Sequence, residues 1–296
     1  MNGINGFAID GEEAFDKSGI SMSGIGDING DSIDDFIIGA SGNDHNGDQA
    51  GRAYVVYGKD TDAGTQSFDA TLDFGALDGA NGFRISGLSA GDQLGHSVSG
   101  VGDIDGDNIA DFAIGAPGAD GSTGHVYVFF GQETAFDVDV DLNTLNGENG
   151  FVVNGAPAGS ENGFAVSGAG DVNGDGVDDL IISAPNADGP AEDGSISVGR
   201  AYVIFGRDTI NGTDSFASTF DLSTLNGHNG FQILGHDDND NIGFSLSSAG
   251  NINGDSFDDL IIGAPSIDDN TGQTYVLLGQ DLFEPIVYIG DYLPDM

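Results

Sequence analysis

The sequence predicts an all-β fold, a β-propeller in which four four-stranded blades are recognisable. The 296 residues include 51 glycines and no tryptophan or cysteine, a composition typical of short strands joined by many tight turns. A unit of roughly 70 residues also occurs four times, which indicates a repeat architecture. No segment has the sustained 3.6-residue apolar periodicity of an amphipathic helix.

Each unit reads as four short strands in the same order. The first strand begins with Asn-Gly-Phe at residues 5, 81, 149 and 229. A strand of small residues, an acidic loop, an apolar strand such as DFIIGAS and an aromatic strand such as RAYVVYG follow. β-Branched and aromatic residues favour strands, and four-stranded units in series favour a propeller. The alternatives are a string of separate β-modules and a parallel β-helix, whose coils are far shorter than this unit.

We expect residues 1–296 to form one propeller domain. The repeats cover approximately residues 5–67, 81–135, 149–210 and 229–281, and residues 282–296 form a closing strand or a linker. An Asp-[Phe/Leu]-x-x-Leu segment precedes the second, third and fourth units but not the first, so the chain is expected to start inside a repeat unit. Either four blades close into a small ring, or they belong to a longer polypeptide or an oligomer.

The charge of the chain restricts its partners. There are 49 Asp and Glu residues against 6 Lys and Arg residues, a formal net charge of −43. Nucleic-acid binding needs clustered Lys and Arg, so the charge excludes that class and also argues against an anionic membrane surface. No apolar run is long enough to span a membrane, and no signal peptide is visible at the N-terminus. Cations, basic surfaces or a high-salt environment suit such a chain.

The acidic loop of each unit has the pattern of a metal-binding loop. Its nine residues start at positions 27, 103, 171 and 251, and places 1, 3, 5 and 9 always carry a carboxylate or amide oxygen. Place 4 is Gly, which permits a sharp bend, and place 7 is apolar, which suits a ligand that binds through its backbone carbonyl. The predicted metal ligands are Asp27, Asn29, Asp31, Ile33, Asp35, Asp103, Asp105, Asp107, Ile109, Asp111, Asp171, Asn173, Asp175, Val177, Asp179, Asn251, Asn253, Asp255, Phe257 and Asp259.

The ligand chemistry of these loops favours Ca²⁺, with up to four ions in the chain. Donors that are all oxygen select a hard cation, and a flexible set of carboxylate, amide and carbonyl oxygens fits Ca²⁺ better than octahedral Mg²⁺. An EF-hand would need a bidentate Glu at place 12, where each loop has Ile instead. Place 8 does not carry an oxygen-bearing side chain in every loop, so we expect its side chain to face solvent. The alternative is a solvated acidic turn in a salt-adapted protein.

These motifs resemble the FG-GAP repeat of integrin α-subunit propellers and of many bacterial surface proteins. The resemblance covers residues 5–281. The Gly-Ala-Pro end is present at residues 115–117 and 263–265 and varies at residues 39–41 and 183–185, while the Phe-Gly part keeps only its Gly. It implies a calcium-stabilised propeller on an extracellular or cell-surface protein that binds other proteins or glycans. Integrin propellers have seven blades, whereas four are recognisable here.

The expected function is therefore calcium-dependent adhesion or binding to an extracellular protein or glycan, and we expect no enzymatic activity. There is no cysteine nucleophile and no Gly-x-Ser-x-Gly nucleophile elbow between a strand and a helix. His96 occupies a place that is apolar in the other units, which favours a packing role. The loop at residues 186–199 is longer than its counterparts and is a candidate contact for a partner. The alternatives are the propeller domain of a secreted calcium-dependent hydrolase or polysaccharide lyase, and a structural spacer.

Overall fold

The computed structural model describes residues 3, 5–61, 67–189, 197–210, 215–235 and 239–289. It confirms the all-β propeller, because the four repeats form successive β-sheets that pack side by side as blades. The strands are β1 (Ala8–Asp10), β2 (Ser21–Gly26), β3 (Asp35–Ala40), β4 (Arg52–Val56), β5 (Thr71–Asp73), β6 (Gly82–Ser86), β7 (Ser97–Gly102), β8 (Asp111–Ala116), β9 (His125–Phe129), β10 (Asp139–Val140), β11 (Gly150–Asn154), β12 (Val166–Gly170), β13 (Asp179–Ala184), β14 (Arg200–Ile204), β15 (Thr219–Asp221), β16 (Gly230–Leu234), β17 (Ser245–Gly250), β18 (Asp259–Ala264), β19 (Gln273–Leu277) and β20 (Ile286–Tyr288).

The remaining elements are single helical turns in the connections. Each 3₁₀ turn begins after an aspartate whose side chain accepts a hydrogen bond from the backbone N–H two residues later, which is a normal N-cap. None of the helices among the described residues has the length and apolar character needed to cross a membrane. The turns are the 3₁₀ helices Phe74–Ala76, Leu142–Thr144 and Leu222–Thr224 and the α-helical turns α1 (Ala119–Ser122) and α2 (Ile267–Asn270).

A blade is out of phase with the sequence repeat by one strand. The first blade has the order β2-β3-β4-β6, all antiparallel, and β10 adds a short parallel strand outside β6. The second blade has the order β7-β8-β9-β11-β15, and the third has β12-β13-β14-β16-β20. The Asn-Gly-Phe strand that opens one sequence repeat is therefore the outer strand of the preceding blade. Because of this offset, each complete blade contains strands from two successive repeats.

At the two ends of the described chain, the strands do not form complete blades of this kind. The fourth blade contains β17, β18 and β19 and has no outer strand among the described residues. The first Asn-Gly-Phe strand, β1, pairs only with β5, in a separate two-stranded sheet. The C-terminal strand β20, which lies in the segment expected to close the fold or link onward, pairs with β16 of the third blade. Residues 290–296 lie outside the described residues.

The core lies between adjacent blades. Ile37, Val55 and Phe83 of the first blade are fully buried against the second, which contributes Phe112 and Tyr127 to the same cluster. Strands buried on both faces explain why DFIIGA and its counterparts are continuous apolar runs without alternation. Each buried side chain of this size contributes about 1.5–3 kcal/mol, so contacts between blades provide most of the apolar stabilisation.

Glycines bring neighbouring blades into backbone contact. Gly95, with a φ of 80°, places its carbonyl oxygen against Gly39 of the preceding blade, where an added Cβ would overlap it. The Ser21 hydroxyl donates a 2.8 Å hydrogen bond to the same oxygen, and Ser97 makes the equivalent bond to Gly163. The Gly kept from the Phe-Gly part of one repeat therefore packs against the Gly-Ala-Pro part of the repeat before it.

We expect Gly39→Ala to lower the free energy of unfolding by about 1–3 kcal/mol, because the added Cβ meets the Gly95 carbonyl and Ser21 Oγ between two blades. Urea unfolding at fixed calcium concentration would measure the loss. Gly24→Ala is the matched control, since Gly24 lies in the neighbouring strand and an added Cβ there meets nothing within 4 Å. Equal losses in the two variants would contradict the role given to the blade contact.

Candidate metal centre

Each acidic loop joins the innermost strand of a blade to the next strand, so the four loops lie at the same end of their blades. The pairing of the two strands shifts register immediately before the loop, between Gly24 and Gly26 in the first blade and at equivalent places in the others. The second residue of each shift is a glycine with positive φ. This β-bulge turns the chain out of the strand and into the acidic loop.

Hydrogen bonds inside the loop curl it around its own carboxylates. In loop two, Asp103 accepts bonds from the backbone N–H groups of Gly106, Asp107 and Asn108, at 2.7 to 3.0 Å. Asp105 accepts from the N–H of Asp107 at 3.2 Å. Loop three repeats both features with Asn173 in place of Asp105, and in loop one Asp27 accepts from Asp31 and Ser32 while Asn29 accepts from Asp31. Each side chain keeps acceptor capacity beyond these bonds, because a carboxylate has about four lone-pair sites.

The aspartate at place 9 connects the loop to the blade core. Asp111 is fully buried, and its two oxygens accept bonds from the backbone N–H groups of Ile104 and Gly131, both at 2.8 Å. Gly131 lies just beyond the end of the aromatic strand, so one carboxylate holds both the loop and that strand. The sequence pattern identifies this residue as a ligand but gives no signal for its second role. The equivalent carboxylates are those of Asp35, Asp179 and Asp259.

Loop two brings three of its four predicted carboxylates together. One oxygen each of Asp103, Asp105 and Asp111 lies within 4.8 Å of the other two. At that distance each pair of negative charges repels by about 3.5 kcal/mol at an effective dielectric constant near 20. The ion pairs that Arg52, Arg84 and His125 form involve none of these carboxylates. The donor set is therefore a concentrated negative site that a divalent cation would fit.

Burial raises the pKa of at least one carboxyl group in each of the first three loops. The pKa of Asp35 rises to about 6 and that of Asp179 to about 8, in both cases chiefly because the group is desolvated. Burial, with the charge of Asp107, raises the pKa of Asp105 to about 7. The pKa of Asp111 is raised well above its usual value, again mainly by burial. Without a cation, ionisation of these carboxyl groups therefore lowers the stability of the folded protein.

The amide-containing loops differ in detail from loop two. The Asn173 amide nitrogen donates to Asp175 Oδ2 at 2.9 Å, and Asn253 makes the same bond to Asp255 at 2.6 Å. In loop four, Asn251 Oδ1 replaces a carboxylate as the acceptor for the turn. The place-7 residues donate their N–H groups to the place-5 carboxylates, and ligation by their carbonyl groups stays a prediction.

The expectation that place 8 faces solvent is wrong for two of the loops. Asp178 and Asp258 are half-buried, and each accepts a bond from the place-1 N–H of the preceding loop, at 2.9 Å from Asp103 and 3.1 Å from Asp171. Asp34 of the first blade is exposed, as expected. The carboxylate at place 8 thus joins its own loop to the loop of the preceding blade, so it can have this role only where such a blade is present.

A cavity of about 330 Å³ opens beside loop one, between the first two blades. Its lining includes Asn29 and Asp31 of the loop together with Tyr57, Lys59 and Glu133. Sequence reasoning missed this cavity because its walls come from loops of different repeats. Residues 190–196 of the long loop, another candidate contact for a partner, lie outside the described residues.

Comparison with known proteins identifies the class. The sequence profile described as "FG-GAP repeat" matches residues 19–56, 94–129, 162–198 and 243–277, one segment in each blade. These segments contain the acidic loops and the glycines that form the contacts between blades. The chain therefore belongs to the FG-GAP repeat family, and its repeats form the β-propeller blades described above.

Individual relatives are integrin α-subunits and a phospholipase. Phosphatidylinositol-glycan-specific phospholipase D of Bos taurus is 28% identical over 260 residues, which cover 86% of this chain and 27% of that protein. Integrin alpha-PS2 of Drosophila melanogaster is 30% identical over 58% of this chain and 10% of its own length. Integrin alpha-5 of Xenopus laevis is 30% identical over 60% of this chain and 16% of its own length. The chain thus spans a minor part of each of these relatives.

We expect the metal-free protein to become more stable as the pH falls from about 8.5 to about 5. A folded-state pKa raised above the unfolded value adds stability that is present at low pH and is lost as the pH rises through the folded pKa. The stability contributed by Asp35, Asp105 and Asp179 is therefore lost between the ordinary carboxyl pKa of 3.8 and their folded pKa values of about 6, 7 and 8. Melting temperatures in chelator across this range would test the expectation.

The dependence of the melting temperature on pH should come from the buried carboxylates of the loops. Asp105→Asn removes one of them and is expected to flatten the dependence on pH, whereas Asp34→Asn removes an exposed charge at place 8 and should leave the slope nearly unchanged. A slope that changes equally in the two variants would assign the effect to net charge instead.

Proposed function

We propose that the chain is a calcium-binding propeller module of an extracellular protein, and that it mediates calcium-dependent adhesion or binding to a protein or glycan. The observation that supports calcium is the convergence of Asp103, Asp105 and Asp111 within 4.8 Å, with two of them buried. Buried carboxylates without a basic partner are costly as ions, and a bound cation would offset that cost. Only oxygen donors surround the centre, which favours Ca²⁺ over a softer metal.

Calcium in these loops has a structural consequence for the whole module. Place 9 joins each loop to the end of the aromatic strand, and backbone bonds such as Asp178 N–H to the Asp103 carbonyl, at 3.2 Å, join one loop to the next. Ions held by the ligand residues would neutralise the carboxylates and stabilise this chain of loops. Since Ca²⁺ binds the folded state, its removal should lower the melting temperature by mass action.

The number of ligand carboxylates predicts the order of Ca²⁺ affinity among the loops. Loop two has four, loops one and three have three, and loop four has two, so the expected order of affinity is two, then one and three, then four. Asp105→Asn gives loop two the same residue types at places 1, 3, 5 and 9 as loops one and three. We expect roughly a tenfold loss of affinity at one site.

Isothermal titration of the chelator-treated protein with Ca²⁺ would measure that loss. Asp34→Asn is the matched control, because it removes the same charge from an exposed place 8. An equal change of Ca²⁺ affinity in both variants would indicate that the ions are attracted by the overall negative charge and are not bound at a defined centre. A melting temperature that chelator leaves unchanged would contradict structural calcium.

The adhesion part of the proposal has separate support. Integrin α-subunits are among the relatives by name, and the acidic loops present exposed carboxylates such as those of Asp31, Asp175 and Asp255. We expect the purified chain to bind at least one extracellular matrix protein or glycan in an array when calcium is present and to lose that binding in chelator. Binding of equal strength in both conditions would contradict the calcium dependence.

The second candidate is a propeller domain of a secreted hydrolase, which the phospholipase D relatives favour. Two of the described histidines make contacts that suit a structural role: the His96 ring lies 4.9 Å from that of Phe164, and His125 pairs with Asp120 at 3.1 Å. Hydrolysis of a phosphatidylinositol-glycan by the purified chain would favour this candidate over the adhesion module.

A further inference from the structure

The fourth blade presents an apolar face that is covered in every other blade. Val276 of β19 is 51% exposed, whereas its counterparts Val55, Val128 and Val203 are fully buried. In the first three blades the next blade packs on this residue. The fourth repeat therefore has the same apolar residue as the other repeats, although no blade among the described residues covers it.

Three more positions show the same contrast. Ile252 is 59% exposed, Leu278 is 47% exposed and Ile261 is 36% exposed. None of their counterparts in the first three blades is more than 7% exposed, and all face the next blade. Those counterparts are Ile28, Ile104 and Val172 for Ile252, Tyr57, Phe130 and Phe205 for Leu278, and Ile37, Ala113 and Ile181 for Ile261.

The N-terminal end of the chain carries the two strands that the fourth blade lacks. In the complete first blade the outer strand β6 pairs with the edge strand β10 in parallel, and β1 pairs with β5 in the same way. The order β5-β1 placed beside β19-β18-β17 would reproduce the order β10-β6-β4-β3-β2. An end strand such as β19 is a template for pairing with another chain.

Aromatic packing identifies the N-terminal end as the matching surface. The phenylalanine of each Asn-Gly-Phe strand stacks on a second ring, at 4.5 Å for Phe83 on Phe136 and also 4.5 Å for Phe7 on Phe68. In the complete blades this phenylalanine also contacts the residue that follows the aromatic strand, as Phe83 does with Tyr57 at 5.9 Å. The residue at Tyr57's place in the fourth blade is Leu278.

We infer that the fourth blade of one copy docks the N-terminal end of a second copy, through a head-to-tail contact in which β1 pairs antiparallel with β19. The register follows from the first blade, where Ala53 faces Ile85 and Val55 faces Phe83. It places Thr274 opposite Ile9 and Val276 opposite Phe7. The contact is heterologous, so copies form a closed ring where the rotation closes and a longer assembly where it does not.

Charge opposes this contact, and apolar burial favours it. Each copy carries a net charge of −43, so association is expected to strengthen as salt screens the repulsion. The exposed side chains at the fourth blade would be buried together with Phe7, as their counterparts are buried in the complete blades. The inference does not depend on calcium, so its test is run both with calcium and in chelator.

A cysteine pair tests the contact directly, since the chain contains no cysteine. Opposed residues of antiparallel strands have Cα atoms about 4.5–5.5 Å apart, within the range of a disulfide. Under mild oxidation, the full chain with Ile9→Cys and Thr274→Cys should form disulfide-linked dimers or larger assemblies at high ionic strength. The two single variants are controls and should not form such assemblies to the same extent.

Light scattering of the unmodified chain gives the second measurement. Wild-type protein should have more than the monomer mass of 30.1 kDa, and Val276→Asp should reduce it to the monomer. Ile210→Asp, at a 66% exposed position in another loop, should not. A monomeric wild type, or a disulfide that forms only within one chain, would overturn the inference, the latter by showing that the chain closes on itself.

Discussion

The buried aspartate at the end of each acidic loop is the constraint on which the loops and strands depend. In the second blade, Asp111 binds the loop through the Ile104 N–H and the end of the aromatic strand through the Gly131 N–H. A neutral side chain would satisfy these donors less well, and a bare carboxylate in this position is costly. The same carboxylate therefore holds the loop to the end of the aromatic strand and places a buried negative charge there, which the proposed cation would neutralise.

The offset between repeat and blade is the second organising feature. Because the Asn-Gly-Phe strand completes the preceding blade, none of the three complete blades is built from a single repeat. The offset ties neighbouring repeats by backbone pairing as well as by the packing of apolar faces. It also produces two unlike ends, an outer strand pair at one and three inner strands at the other, which is the physical basis for head-to-tail association.

The acidic loops and the apolar strands were predictable because their signals are local. Alternating oxygen-bearing residues around a glycine indicate a curled loop, and β-branched runs indicate buried strands. Place 8 was not predictable in this way. Asp34 is exposed while Asp178 and Asp258 accept bonds from a neighbouring loop, although the three residues occupy the same place in nearly identical segments. The difference is the presence of a preceding blade, which no local pattern records.

The sequence by itself determined the all-β class, the four repeats, the acidic loops and the oxygen-only donor set, since each depends on residue type and spacing along the chain. Only the tertiary structure decided which strand completes which blade, which carboxylates converge and which apolar residues stay uncovered. Val276 and Val55 have the same side chain in equivalent strands, yet one is half exposed and the other is buried. Burial is a property of neighbours in space, and the neighbours of a blade come from distant parts of the chain.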